Sequence, residues 1–309
     1  MDAETRELLR GSIHDLFETD AGGDVVAGLD ELGWSEVVAD DPAAALDMLF
    51  TEQGLLGRAS AILDTVAFAE YDGVKIPVVH PINSRASARV IDDRIEIDGV
   101  LLANPHGPVG VATHDTGFLV DLAAQQSAVT AVAGFDARSG LRRVRLTMAC
   151  DGVTETDLDW TPIVAAAERA LSSELVGNGS AMVRLAADQI TGRFQFGRPI
   201  AANQSPRHRL AESYALLRGA AELSAVAWRT GSGADARTAK AYAGYAVDAA
   251  SRACVQVCGA IGLTAEHPLS GHVARSRILD AMYGGWADSM TDIGGQFVAS
   301  GCLPPQARL

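Results

Sequence analysis

The sequence predicts an α+β fold laid out in three consecutive parts: helices, then antiparallel strands, then helices again. Three observations predict it. Apolar residues recur at helical spacing from about residue 3 to 68, and again from about 157 to the end. Between these stretches, from about Tyr71 to Cys150, short alternating runs are separated by turn residues. The partition this suggests is 1–68, 69–155 and 156–309.

In the first part, Leu8, Leu9, Ile13, Leu16 and Phe17 place an apolar stripe on a helix over Glu4–Phe17. Asp40-Asp41-Pro42 starts another, with an acidic cap and a Pro just inside the first turn, where its missing N–H is no loss. Ala45, Leu46, Met48, Leu49 and Phe50 follow on that helix.

In the middle part, Val74–Val79 and Arg89–Ile91 read as strands, and Arg94–Val100 alternates strictly, as a half-buried strand does. Thr116–Leu122 and Leu141–Thr147 add two more. Turn residues at Asp92-Asp93, Asn104-Pro105 and Ser139-Gly140 divide them. The expectation is an antiparallel barrel or sandwich of about six to eight strands.

In the last part, Thr161-Pro162 opens a long helix running to about Ile190. A second spans Arg207–Arg229, with Leu210, Tyr214, Leu217 and Ala221 on one stripe. After Gly231-Ser232-Gly233 comes a third, Arg237–Ile261, and two more follow at 272–283 and 286–299. Short connections between long helices make an antiparallel bundle.

Composition narrows the function. A chain of 309 residues, 48% hydrophobic and 21% charged, folds around its own core without a disulfide or metal staple. The balance of 25 Lys+Arg against 39 Asp+Glu, a net charge of -14, argues against nucleic acid as a partner. No uninterrupted apolar run approaches the ~20 residues of a membrane span. The charged start, Met1–Glu7, lacks the basic-then-apolar order of a leader, so the expected location is the cytoplasm. Cys150, Cys254, Cys258 and Cys302 are too few and irregular for a disulfide framework; Cys254 and Cys258 share a helix face and read as core thiols. His14, His80, His106, His114, His208, His267 and His272 form no ligand spacing and read as surface or structural residues, and no metal is expected. No nucleophile-elbow, phosphate-loop or zinc-protease signature occurs.

Two segments carry more. One is Arg193-Phe194-Gln195-Phe196-Gly197-Arg198-Pro199-Ile200-Ala201-Ala202-Asn203-Gln204; the other runs from Gln256 through Cys258-Gly259-Ala260-Ile261-Gly262 to Glu266-His267-Pro268. An Arg pairs with phosphate, Gln amides suit an adenine or ribityl chain, and a glycine turn at a helix end offers backbone N–H groups to a pyrophosphate. Each segment alone also reads as an ordinary interhelical loop or helix cap. Together, in this helix–strand–helix order, they resemble the acyl-CoA dehydrogenase family. The resemblance is strong over residues 160–300 and weaker before them.

That resemblance implies FAD as cofactor and an acyl-CoA thioester as substrate. It implies that Arg193, Gln195, Phe196, Gln204, Gln256, Gly259 and Gly262 reach across a subunit interface to the adenine and pyrophosphate half of a neighbour's FAD. It also sets glycines such as those of Gly177-Asn178-Gly179 beside the acyl chain; a helix-packing contact or kink is the alternative. The reaction needs a carboxylate to take the α-proton while the flavin accepts the β-hydride. The family's usual Glu follows a Tyr, and here Tyr283 is followed by Gly284. Members with the Glu on the first bundle helix would place it at Ala167. The neighbouring Glu168 is displaced by ~100° around the helix and is either the base or an ordinary helix charge. The strand segments that hold the flavin ring are reduced to Val78-Val79-His80-Pro81 and Val100–Pro105, without the family's Thr and Trp.

The residues kept are those facing a neighbour; the residues lost are those that hold and use a flavin within one chain. This is similar to the short, degenerate subunits of heterotetrameric actinobacterial steroid acyl-CoA dehydrogenases. The implied partners are a longer acyl-CoA dehydrogenase subunit, or self-association, and an electron-transfer flavoprotein as acceptor. Two other readings remain open: a self-sufficient homo-oligomer using Glu168, and a flavin-free scaffold or acyl-CoA-binding protein.

Overall fold

Helix-period sequence at both ends of the chain folds into helices that share one apolar core, and the strand-rich middle folds over a second. The computed structural model describes residues 2–19, 25–67, 69–71, 73–105, 107–132, 134, 136 and 139–301; His106 and Cys302 lie outside these. The described helices are α1 (Ala3–Thr19), α2 (Val25–Glu31), α3 (Trp34–Asp40), α4 (Pro42–Leu56), α5 (Asp64–Ala67), α6 (Thr161–Gly192), α7 (Gln204–Thr230), α8 (Gly233–Cys258), α9 (Leu269–Ala281) and α10 (Trp286–Ser300).

The start of α4 is built as its sequence predicts. The Asp41 carboxylate accepts the Ala44 N–H at 3.2 Å, and Pro42 occupies the first turn. Its far end packs on α6 with backbone nearly touching backbone. A Cβ added to Gly54 would overlap the Glu174 carbonyl, and one on Gly177 would overlap that of Thr51. Gly177 is thus a helix-crossing residue, packed against the backbone of Thr51 and Leu55 on α4. Gly179 faces Leu217 and Val247, which likewise leave no cavity there.

The middle part holds a five-stranded antiparallel sheet ordered His80–Pro81, Arg94–Leu101, Arg142–Ala149 and Val129–Ala131, with Ala88–Ile91 also paired to Arg94–Leu101. A three-stranded sheet is ordered Thr154–Thr156, Gly117–Asp121, Pro108–Ala112. Ile95, Ile97 and Val144 from one sheet meet Val109, Val111 and Val120 from the other in a sandwich core. With the pair Ala69–Tyr71 and Val74–Ile76, ten short strands are described, more than the six to eight expected. The run Val74–Val79 breaks at Pro77, after which Val78 bridges Gly110 in parallel.

In the bundle, α8 is the central helix and packs on α6, α7, α9 and α10. By length and apolar composition alone, Gly233–Leu263 would pass as a membrane span. The buried stripe of α7 runs through Leu210, Ser213, Leu217, Ala220, Ser224 and Ala227, so Tyr214 is exposed and not part of it. Small residues win the inner face because α6 and α8 both press on it.

Candidate functional site

The two sequence segments meet at one end of the bundle. Because α6, α7 and α8 alternate in direction, the end of α6, the start of α7 and the end of α8 lie together. An open groove there is lined by Gly192 at the end of α6, by Arg193 from one segment, and by His267 and Pro268 from the other. A neighbouring groove is lined by Gly262, Leu263, His267 and Pro268.

The first segment is a two-residue hairpin, not the plain loop its sequence suggests. Phe194–Gln195 pairs with Arg198–Pro199, and Phe196 and Gly197 form the tip with φ of 52° and 76°. Positive φ at both tip positions favours Asn-Gly, so a Phe there is held against its preference. Its side chain is 100% exposed, and Phe194 beside it is 62% exposed. Gln195, Gln204 and Gln256 are also exposed. Leu263 stands out from the second segment at 70% exposed.

The glycines of the second segment have internal duties. Gly259 has φ of 70° and its N–H caps α8 by donating to the Val255 carbonyl. Gly262 is buried against Cys258 and Leu269, where a Cβ would not fit. Neither glycine is a free pyrophosphate cradle within this chain.

The position of the missing base lies elsewhere, where α6, α8, α9 and the strand His80–Pro81 converge. Tyr283 has φ of 56° and Gly284 φ of 90°. Lys240, 2% exposed, donates to the carbonyls of Asp280 (2.9 Å) and Gly284 (2.5 Å) and fixes this turn. Burial pulls its pKa down to about 8. The Tyr283 N–H donates to the Pro81 carbonyl, and Ile82 bridges Met282. The side chains form a chain of their own. Asp64 Oδ1 lies 2.9 Å from His80 Nε2, and His80 Nδ1 lies 2.9 Å from the Tyr283 hydroxyl. An ionised Asp64 only accepts, so Nε2 carries the proton and Nδ1 accepts from tyrosine. Burial raises the Tyr283 pKa, which keeps that hydroxyl protonated.

Arg85 lies over Gly284. A Cβ added there would sit 3.7 Å from the Arg85 Cγ. The Arg85 Nε donates to Glu168 Oε1 at 3.0 Å. Glu168 is 1% exposed, so it is no ordinary helix charge. Burial raises its pKa, and the Arg85 charge opposes that rise. Ala167 packs in the core beside it. Glu174, two turns on, takes both Nε and Nη2 of the buried Arg275 on Oε1, at 3.0 and 2.7 Å.

This arrangement bears directly on FAD. His80, in the strand that corresponds to a flavin-ring segment, is fully buried with both ring nitrogens engaged. Val78, Val79 and Pro81 are buried with it. Neither ring nitrogen of His80 is left free for a flavin ring. The exposed Arg193, Gln195, Gln204 and Gln256, by contrast, match the chemistry of a dinucleotide presented from outside. Among the described residues no cluster of His, Cys, Asp and Glu suits a metal ion.

The sandwich between two helical parts, with this turn at their junction, defines the acyl-CoA dehydrogenase fold. Residues 165–298 match the family description "Acyl-CoA dehydrogenase, C-terminal domain". A curated relative, acyl-CoA dehydrogenase IpdE2 of Mycolicibacterium smegmatis, is 30% identical over 132 residues. That match spans 43% of this chain and 42% of the relative. Two solved structures share the fold over nearly the whole length. The ChsE4-ChsE5 complex from Mycobacterium tuberculosis aligns with TM-score 0.69 and 16% identity, covering 99% of each chain. The Tcur3481-Tcur3483 steroid ACAD G363A variant aligns with TM-score 0.67 and 18% identity, covering 96% of this chain and 98% of that one.

Proposed function

We propose that this chain is a subunit of a heteromeric, FAD-dependent acyl-CoA dehydrogenase, an oxidoreductase that converts a CoA thioester to its 2,3-enoyl form in the cytoplasm. It supplies contacts to the adenine and pyrophosphate half of an FAD seated in a longer partner subunit, and it does not supply the base. The observation that carries this reading is the ion pair of Arg85 with Glu168 beside Gly284. The usual base position holds no carboxylate, and Glu168, the other carboxylate that the resemblance offers as a base, is paired with a guanidinium.

Bound FAD would accept the β-hydride. Arg193 offers charge to its phosphates, Gln195, Gln204 and Gln256 offer amides, and Phe196 offers an aromatic face. That the relative and both solved neighbours are described as acyl-CoA dehydrogenases, or as two-component complexes, supports the reading. The steroid description of one neighbour favours a bulky polycyclic acyl group. An electron-transfer flavoprotein is the expected acceptor. The self-sufficient alternative needs Glu168 to leave Arg85 before it can take a proton.

Co-expression with candidate partners tests the proposal. The chain purified alone should carry no flavin absorbance and no dehydrogenase activity, while the complex should carry flavin reducible by a CoA thioester. A stoichiometric, reducible flavin in the single chain would sink it.

A further inference from the structure

The hairpin end of the bundle carries a protrusion and a recess side by side. The protrusion is the tip Phe196-Gly197, with Arg193 and Arg198 exposed on its arms. The recess is a groove of about 570 Å³, lined mainly by Val255, Leu263, Ala265, Pro268, Val273 and Ala274. That volume has room for an aromatic ring. His267 and Pro268 line both this groove and the open cleft at the foot of the hairpin, so tip and recess share one face.

Both halves are apolar and unsheltered. Phe196 has its whole side chain in solvent, and Leu263, on the groove wall, has most of its own there. Large apolar side chains gain by leaving water, and Phe196 also sits at a φ that Asn holds with less strain. Exposed apolar surface of this kind marks an association site.

Three features fit a second copy of this chain as the occupant. A protrusion and a recess on one face meet their counterparts twice when a two-fold axis passes midway between them, so each copy gives one ring and receives one. The charges agree: Arg193 and Arg198 accompany the entering ring, and Glu266, exposed between the groove residues Ala265 and His267, borders its seat. Finally, Arg193–Gln204 contains no carboxylate, so this stretch is spared the self-repulsion of a chain with net charge -14.

We propose that, without a partner subunit, two copies of this chain pair about a two-fold axis, the Phe196 ring of each seated in the groove of the other between Val255 and Ala274. The pairing needs no flavin and no other chain. It covers the same hairpin end that the subunit reading gives to a flavin-bearing partner. Only the consequence, that homodimer and heteromer exclude one another, rests on that reading.

Sedimentation velocity of the full chain purified alone, over a concentration series, tests it. The wild type should show a reversible monomer–dimer equilibrium. Phe196→Asn removes the ring from a tip that suits Asn, and Ala265→Trp fills the groove from an exposed position. Each should weaken the dimer about tenfold or more. An equimolar mixture of the two variants should dimerise more tightly than either alone, because one ring and one open groove remain between unlike copies. A wild type that stays monomeric, a dimer that Phe196→Asn leaves at full strength, or a mixture no tighter than its parts overturns the proposal. If Ala265→Trp does not fold, Phe196→Asn decides alone. No second subunit, flavin or turnover enters the experiment, so the subunit reading stands or falls separately.

Discussion

The hairpin end of the bundle and the wall around Gly284 treat their polar and aromatic groups in opposite ways. At the hairpin, Phe196 is fully exposed on a backbone that disfavours it, and glutamines stand in solvent around it. At the wall, Lys240, His80, Tyr283 and Glu168 are buried, and each has at least one partner inside the chain. The hairpin leaves its aromatic and amide side chains in solvent, whereas the wall pairs its polar side chains within the chain.

The wall offers the largest test of that contrast. Lys240 falls from the usual 10.5 to about 8 on folding, so between those values the unfolded chain binds more protons than the folded one. Stability therefore rises with pH across that window. Chemical denaturation of wild type and Lys240→Met, compared at pH 7.5 and pH 10, should show the difference move in the wild type's favour, by up to about 3 kcal/mol. A pH-independent difference would mean that the ammonium is not closed in.

Arg85→Met should come next. It strips Glu168 of its ion partner, and removing one member of a buried pair costs about 3–5 kcal/mol. The cost here lies at or below the low end, because Arg85 is a third exposed and Glu168 escapes by taking a proton. A carboxyl whose pKa is raised on folding loses stability as pH rises through that raised value, so the defect should be larger at pH 8 than at pH 5. Thermal melts at both values check it.

Tyr283→Phe leaves His80 Nδ1 buried without its donor and should cost about 1–3 kcal/mol in urea unfolding. The smallest effect belongs to the other region, and its sign is reversed. Phe196→Asn suits the hairpin tip and should raise stability by about 1 kcal/mol. The same change should weaken assembly with the flavin-bearing partner tenfold or more, read by sedimentation and retained flavin. A variant that melts lower, or assembles normally, would dissolve the contrast.

Much of this was legible in residue order. The long helices announced themselves through 3.6-residue periodicity, and Arg94–Leu101 through alternation, because each of those signals is local. Pro108–Ala112 was missed: it opens on Pro and centres on Gly110, and only its two partners, 78 and 117–121, make it a strand. The hairpin was missed because Phe-Gly stands where Asn-Gly would have signalled the turn. The Arg85–Glu168 pair joins residues 83 apart and leaves no local trace. Its one hint was Glu168 sitting among Ala165, Ala167, Ala170 and Leu171, on the face that a core would claim. The glycines Gly259 and Gly262 were visible, and their internal roles were not, since caps and packing depend on neighbours the sequence does not place.

The crossing of Gly54 and Gly177 also orders events in time. These residues are 123 positions apart, and α4 has no other bed of comparable fit than α6. During synthesis at about 5–20 residues per second, roughly 6–25 s separate the two glycines at the ribosome. Through that interval Met48, Leu49 and Phe50 have only the apolar residues of α1–α3 to pack against. The front of this protein is made first and finished last, and a newborn chain must keep that apolar helix from other company until its counterpart arrives.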